Sequence, residues 1–267
     1  MKRAIGLVAG NGKLPMIIAA NIRAAGHRLI TIGHIGETRK DLPRHAAGMK
    51  WVHIGELGRI IQILLEEKAE QVLFVGGVSK KHFFSKAKPD ARAIQVLLRL
   101  ADKKDDGILR AIAREIEGEG IEVISPVLFL QDHLASPGVL TERRPTEREQ
   151  KDIDFGWEMA KKLGDLDVGQ TVVVKEQIVL AMEAIEGTDA AVRRGGRLGK
   201  GDVVVVKVVK PKQDLRLDLP VIGPATIQTL KGAKASLLAV EAGKTIIIDR
   251  ARVIEEANRN GICLVGI

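Results

Sequence analysis

The sequence predicts an α/β protein in two parts: a doubly wound, mostly parallel sheet first, then a second α/β domain with a mixed sheet. Through residue 125, short β-branched or aliphatic runs alternate with segments of helical periodicity, the pattern that βαβ crossovers produce. Residues 126–145 interrupt that rhythm. Beyond them strand-like runs come more densely, with fewer helical patterns between.

The elements follow in order. Residues 5–9, 29–33, 51–54, 71–75 and 121–124 have strand length and composition, and residues 14–25, 57–68 and 106–117 carry apolar side chains at helical spacing. These make residues 1–125 a Rossmann-like N-terminal domain. Residues 126–145, with Pro137-Gly138 and Glu142-Arg143-Arg144-Pro145, show no periodicity and read as a connector. Residues 146–267 read as the C-terminal α/β domain. It opens with a helix over 146–163, where Thr146 and Glu149 have capping-box spacing. Strands are expected at 171–174, 178–182, 203–209, 237–240, 245–248 and 262–265, and helices at 225–230 and 251–260.

Composition narrows the classes. The 267 residues are 45% hydrophobic but 3% aromatic, with no Tyr, so the core is aliphatic. A single cysteine, Cys263, excludes an internal disulfide and any cysteine-built metal site. The apolar run after Met1-Lys2-Arg3 is broken by Gly10, Asn11 and Gly12, so no signal peptide is expected. No run reaches the roughly 18 apolar residues of a membrane span, and the expected location is cytoplasmic. Lys and Arg (42) exceed Asp and Glu (34) by 8, and the first fifty residues hold nine basic side chains against only Glu37 and Asp41. That surplus suits a phosphate-bearing ligand or an anionic membrane surface, or is ordinary solvated charge. Nucleic acid is not expected, because stacking aromatics and recognition motifs are missing.

Four segments carry candidate chemistry. Gly10-Asn11-Gly12-Lys13-Leu14-Pro15 joins the first strand to the first helix, where glycines and helix N–H groups can meet phosphate; a tight βα turn is the plain alternative. Residues 183–189, Glu-Ala-Ile-Glu-Gly-Thr-Asp, precede another helix. Thr188 or Asp189 is there either an N-cap or, with Gly187, Arg193 and Arg194, part of a phosphate loop. The densest segment runs from Lys210 to Pro224 and alternates basic and acidic residues: Lys210, Lys212, Asp214, Arg216 and Asp218. Its carboxylates can ligate Mg²⁺ and its basic groups can hold a diphosphate, or it is a charged turn. Asp105-Asp106, the fourth segment, is capping chemistry or a metal site. The six histidines, His27, His34, His45, His53, His82 and His133, show no metal-ligand spacing, and Cys263 reads as a buried structural thiol.

At these loops the sequence resembles the LpxI-type UDP-2,3-diacylglucosamine pyrophosphatases of lipid A biosynthesis, over nearly the whole chain. The resemblance rests on GLVAGNGKLP, VLFVGGVSK, DDGILRAIAREIE, GVLTERRPT, VLAMEAIEGTDAAVRR, PKQDLRLDLPVIGPATI and AVEAGKTIIID. The EGTDAAVRR and QDLRLDLPVIGPATI blocks, in this order and spacing, are its most specific parts. Asn11 departs from the family pattern, which puts a third consecutive glycine there.

The resemblance implies two domains enclosing the substrate and Mg²⁺-dependent cleavage of its diphosphate. Water attacks the α-phosphorus, giving UMP and 2,3-diacylglucosamine 1-phosphate (lipid X). It implies a catalytic aspartate at Asp218, as metal ligand or as the group orienting water; Asp214 is a second candidate metal ligand from its place in the charged loop. Substrate and phosphate contacts then fall to Gly10, Asn11, Gly12, Gly76, Gly77, Gly187, Thr188, Asp189, Arg193, Lys210, Lys212, Gln213 and Arg216. An amphiphilic nucleotide-sugar lipid as substrate also implies an apolar groove and peripheral contact with the anionic inner-membrane surface; a homodimer is left open. Missing paired Asp/His metal motifs argue against the calcineurin-like enzyme of the same reaction. Two other classes compete: a non-catalytic nucleotide-sugar or lipid-phosphate binding protein, and a nicotinamide-dependent oxidoreductase, which the incomplete glycine fingerprint disfavours.

Overall fold

The computed structural model describes residues 2–42, 48–78, 87–100 and 105–267, except the side chains of Asp105 and Asp106. Two units form, Met1–Gln131 with Asp214–Asp218, and Asp132–Gln213 with Leu219–Ile267.

In the first unit, β1 (Ala4–Ala9), β2 (Arg28–His34), β3 (Met49–Val52), β4 (Gln71–Val75) and β5 (Glu122–Val123) form a parallel sheet in the order β3-β2-β1-β4-β5. The helices are α1 (Leu14–Ala24), α2 (Leu57–Glu66), α3 (Ala91–Arg99) and α4 (Asp105–Glu117). All six β1 residues are buried, as expected of a central parallel strand covered on both faces. Val8, Ile30, Ile32, Leu64, Val72 and Ile116 belong to its aliphatic core. The five expected strands and three expected helices are present, with ends shifted by a few residues. Helix α3 was not expected. Its buried residues are Ala93 and Val96, while Ile94 and Leu98 are exposed, and Arg92, Gln95 and Arg99 share its polar face.

The strand order reverses between β1 and β4, the place where such sheets bind ligands beyond their carboxyl ends. Two glycine turns meet there. A Cβ on Gly10 would stand 2.3 Å from the Gly77 carbonyl oxygen and 2.7 Å from that of Gly76. Gly76 has φ +89°, and a Cβ on it would stand 2.4 Å from the Asn11 carbonyl oxygen. Backbone packs directly on backbone, which a side chain forbids.

The second unit contains β6 (Gly138–Val139), α5 (Glu147–Asp165), β7 (Thr171–Lys175), β8 (Ile178–Met182), α6 (Thr188–Gly199), β9 (Val203–Lys207), β10 (Val221–Ile222), α7 (Pro224–Gly232), β11 (Ala235–Val240), β12 (Ile246–Ile247), α8 (Arg250–Arg259) and β13 (Cys263–Gly266). Its main sheet runs β6-β13-β11-β9-β7-β8. β9, β11 and β13 are parallel, and β6, β7 and β8 pair antiparallel, so the sheet is mixed as expected. β10 and β12 form a separate parallel pair. Residues 126–145 hold two short 3₁₀ turns, Pro126–Phe129 and Gln131–His133, and strand β6.

The capping box at the start of α5 is present: the Thr146 hydroxyl accepts from Glu149 N–H, and the Glu149 carboxylate accepts from Thr146 N–H. Arg143 donates to both Glu149 oxygens, at 2.8 and 2.9 Å. Burial pushes the Glu149 carboxyl up, but hydrogen bonds, first from Arg143 and then from Thr146, outweigh it and hold the pKa at about 2.

Two outcomes are expected. Gly10→Ala costs about 1–3 kcal/mol through overpacking of the glycine turns, read from urea unfolding. Gly12→Ala, with nothing within 4 Å of its added Cβ, meets no overpacking, only the left-handed backbone at φ +89°. Its cost is about 1–2 kcal/mol. A Gly10→Ala protein as stable as wild type would contradict the close approach. Second, the Glu149 carboxyl binds its proton more weakly folded than unfolded. Its stabilisation is therefore complete above the ordinary pKa of 4.5 and is lost as pH falls from 4.5 toward about 2. Acid unfolding of Glu149→Gln should show a smaller pH slope in that window; an identical slope contradicts the pairing.

Candidate functional site

At the reversal point of the first sheet, the Gly10 N–H donates to the Val75 carbonyl and the Asn11 N–H to that of Gly77, each at 2.8 Å. These bonds tie the turn after β1 to the turn after β4 and bring Gly10, Asn11, Gly12, Gly76 and Gly77 together. Asn11 gives the turn a further brace that glycine lacks: its side-chain amide donates to Glu37 at 2.9 Å.

In the second unit, α6 begins at Gly187, whose φ of +82° directs the chain into the helix without a capping side chain. Thr188 is inside the helix and does not cap it. Its hydroxyl donates to Glu183 Oε1 at 2.8 Å and accepts from Lys207 Nζ at 3.3 Å. Asp189 and Arg193 lie exposed on the same helix. Arg194 turns away to Glu186, at 2.8 Å. Glu183, the head of the candidate segment 183–189, and Lys207, which the sequence reading missed, are buried polar residues here. The lysine that ends the VVVVK strand is the signal that could have marked the second of them.

The charged loop is rooted in the second unit. Lys210 Nζ is 2.7 Å from Asp167, and Lys210 N–H donates to the Gln213 side-chain oxygen at 3.1 Å. Lys212 is exposed, 4.0 Å from Asp165. Just before it, Glu241 accepts from Val209 N–H at 2.8 Å and from Lys161 Nζ at 2.6 Å, fixing where the loop starts.

Asp214–Asp218 belongs to the first unit. Arg216 donates to both Asp214 oxygens and, through Nη1, to Glu117 at 2.7 Å. Ser125 Oγ donates to the Leu215 carbonyl at 3.1 Å, and Leu217 packs against the aliphatic core. The Asp214 carbonyl accepts from Leu217 N–H at 2.9 Å and Asp218 N–H at 3.2 Å, closing a turn that holds Asp218. The Arg216 hydrogen bonds keep the Asp214 carboxyl below the usual carboxylate range, against opposition from burial.

A resident divalent cation needs several oxygens aimed at one point. Both Asp214 oxygens serve Arg216, and among the described residues no three His, Cys, Asp or Glu side chains form a metal-holding group. These side chains do not fit a protein-built cage. The Asp105 and Asp106 side chains, His45 and His82 lie outside the described residues. Cys263 is buried, with Sγ donating to the Arg143 carbonyl at 3.1 Å. Among the described residues no helix is long and apolar enough to cross a membrane.

The model of the LpxI N-terminal domain matches residues 4–133, and that of the LpxI C-terminal domain matches residues 136–265. The UDP-2,3-diacylglucosamine pyrophosphatase LpxI of Caulobacter vibrioides is 37% identical, over 99% of this chain and 98% of its own. Among solved structures, an L-threonine dehydrogenase from Phytophthora infestans matches 44% of this chain and 34% of its own at 8% identity and TM-score 0.29. The biotin carboxylase subunit of a pyruvate carboxylase matches 65% of this chain and 35% of its own at 14% identity and TM-score 0.30. This chain thus spans about a third of those two structures. With both domain models matched in order, and a relative 37% identical along its full length, the chain belongs to the LpxI family.

Proposed function

We propose that the chain hydrolyses the diphosphate of UDP-2,3-diacylglucosamine, with water attacking the α-phosphorus. The water oxygen bonds to that phosphorus as its bond to the bridging oxygen breaks, and the products are UMP and 2,3-diacylglucosamine 1-phosphate. The hydrolase class and substrate follow from family membership and the relative's name. The observation that supports a catalytic Asp218 is the turn that fixes it, closed on Asp214 and clamped by Arg216 to Glu117.

In this reading Asp218 orients the attacking water, and Arg216 keeps its turn in place. In the first unit the glycine turns at Gly10–Gly12 and Gly76–Gly77 offer phosphate contacts, and in the second unit the start of α6 is itself a substrate contact. Mg²⁺ is proposed to arrive on the diphosphate, since it commonly takes few carboxylates and several phosphate oxygens and waters. Bound there, it neutralises phosphate charge. Basic residues of the first fifty positions favour peripheral contact with anionic lipid.

The test is UMP release from UDP-2,3-diacylglucosamine in ¹⁸O-water, with Mg²⁺ and with chelator. The heavy oxygen should enter UMP, and chelator should stop release. Label in the lipid phosphate contradicts α-attack, and no release at all favours the non-catalytic binder. Asp218→Asn should lower single-turnover release by about 100-fold or more, with substrate affinity within about threefold and thermal unfolding unchanged. Near-normal turnover rejects the catalytic role, while matched losses of stability and affinity mark Asp218 as scaffold.

A further inference from the structure

Glu183, Thr171 and Lys207 gather beneath the first turn of α6. Thr171 pairs with Lys207 across β7 and β9, and the Glu183 N–H donates to the Thr171 carbonyl at 2.9 Å. Each is at least nine-tenths buried, with exposures of 9% for Glu183, 9% for Lys207 and 0% for Thr171. Lys207 donates to the Thr188 hydroxyl and that hydroxyl donates to Glu183 Oε1, so the carboxylate is directed at the helix start.

Two polar atoms here lack hydrogen-bond partners among the described residues, Glu183 Oε2 and Thr171 Oγ1. Native structures rarely leave buried polar atoms so. An ionised carboxylate accepts and does not donate, so Glu183 Oε2 calls for a donor. Above it the first N–H groups of α6 have no capping side chain on Gly187 and favour an anion. The Lys207 ammonium adds positive charge and argues against a metal ion. One end of the cluster suits phosphate, and the other suits a hydroxyl.

We infer that the start of α6, Lys207 and Glu183 form a subsite for a sugar phosphate. Lys207 and the helix N–H groups take the phosphate, and Glu183 Oε2 accepts from a sugar hydroxyl. The inference rests on the reading of this helix start as a substrate contact and adds two residues to it. A ribose phosphate and a glucosamine phosphate share this chemistry, and both occur in the proposed substrate.

Calorimetry on the full chain with inorganic phosphate, UMP and glucosamine 1-phosphate tests it without turnover. One sugar phosphate should bind about tenfold tighter than inorganic phosphate, and its identity names the half of the substrate held here. Lys207→Met should weaken that sugar phosphate and inorganic phosphate alike, by about tenfold or more. Glu183→Ala should weaken the sugar phosphate alone, and Glu183→Gln, which keeps an acceptor oxygen, should recover part of the loss. Should Lys207→Met fail to fold, Thr188→Val, which removes the shared hydroxyl, must weaken the sugar phosphate instead. The subsite is rejected by a wild-type chain that binds sugar phosphates no better than phosphate, as a site filled by water would. Wild-type affinity in the folded variants rejects it too. No UMP release from the lipid substrate, with this binding pattern intact, would reject the hydrolase reading and leave the subsite standing.

Discussion

The placement of Asp218 depends on the guanidinium of Arg216. Five residues encoded late in the chain, Asp214–Asp218, are packed within the unit built by its first half. A charged excursion of that kind ordinarily behaves as a mobile surface loop. Here Arg216 joins Asp214, two residues before it, to Glu117 at the end of α4, and the planar fork lets one side chain serve two carboxylates. Leu217 adds apolar contact and Ser125 ties the backbone. The ion pair is partly exposed, so its main effect is to choose one conformation for the turn, with little added global stability.

Backbone does the corresponding work elsewhere. At the sheet reversal in the first unit, glycines allow the turns after β1 and β4 to hydrogen-bond to each other. In the second unit Gly187 opens α6 with its amides uncapped, above Glu183 and Lys207. Each unit thus presents N–H groups or small residues where a phosphate-rich ligand can approach closely, and holds its charged side chains by specific partners.

Much of the fold was legible because parallel strands buried on both faces read as continuous aliphatic runs, as at Ala4–Ala9 and Val203–Lys207. The Thr146–Glu149 capping box was legible because it is local. Strands β6 and β10, of two residues each, are too short for a period, whereas α3 was missed although Arg92, Gln95 and Arg99 share one face of it. For the site, sequence marked the dense loop but not each residue's partner. Arg216 reads as a phosphate ligand until Glu117, 99 positions away, is seen beside it. Lys210 likewise faces Asp167, 43 positions back. Lys207 was passed over because it ends a strand whose apolar pattern dominates, while Glu183 was marked only as the head of the 183–189 segment. Such long-range pairings have no periodic trace.

If Arg216 acts by holding the turn that carries Asp218, hydrogen exchange of the Leu217 and Asp218 amides in Arg216→Ala, with UMP release measured on the same protein, will register its loss. Both amides should exchange faster by about tenfold or more and turnover should fall, while the amides of β1 and β4 keep their protection. Lost turnover with unchanged exchange at Leu217 and Asp218 would contradict that role and make Arg216 a direct ligand of the substrate.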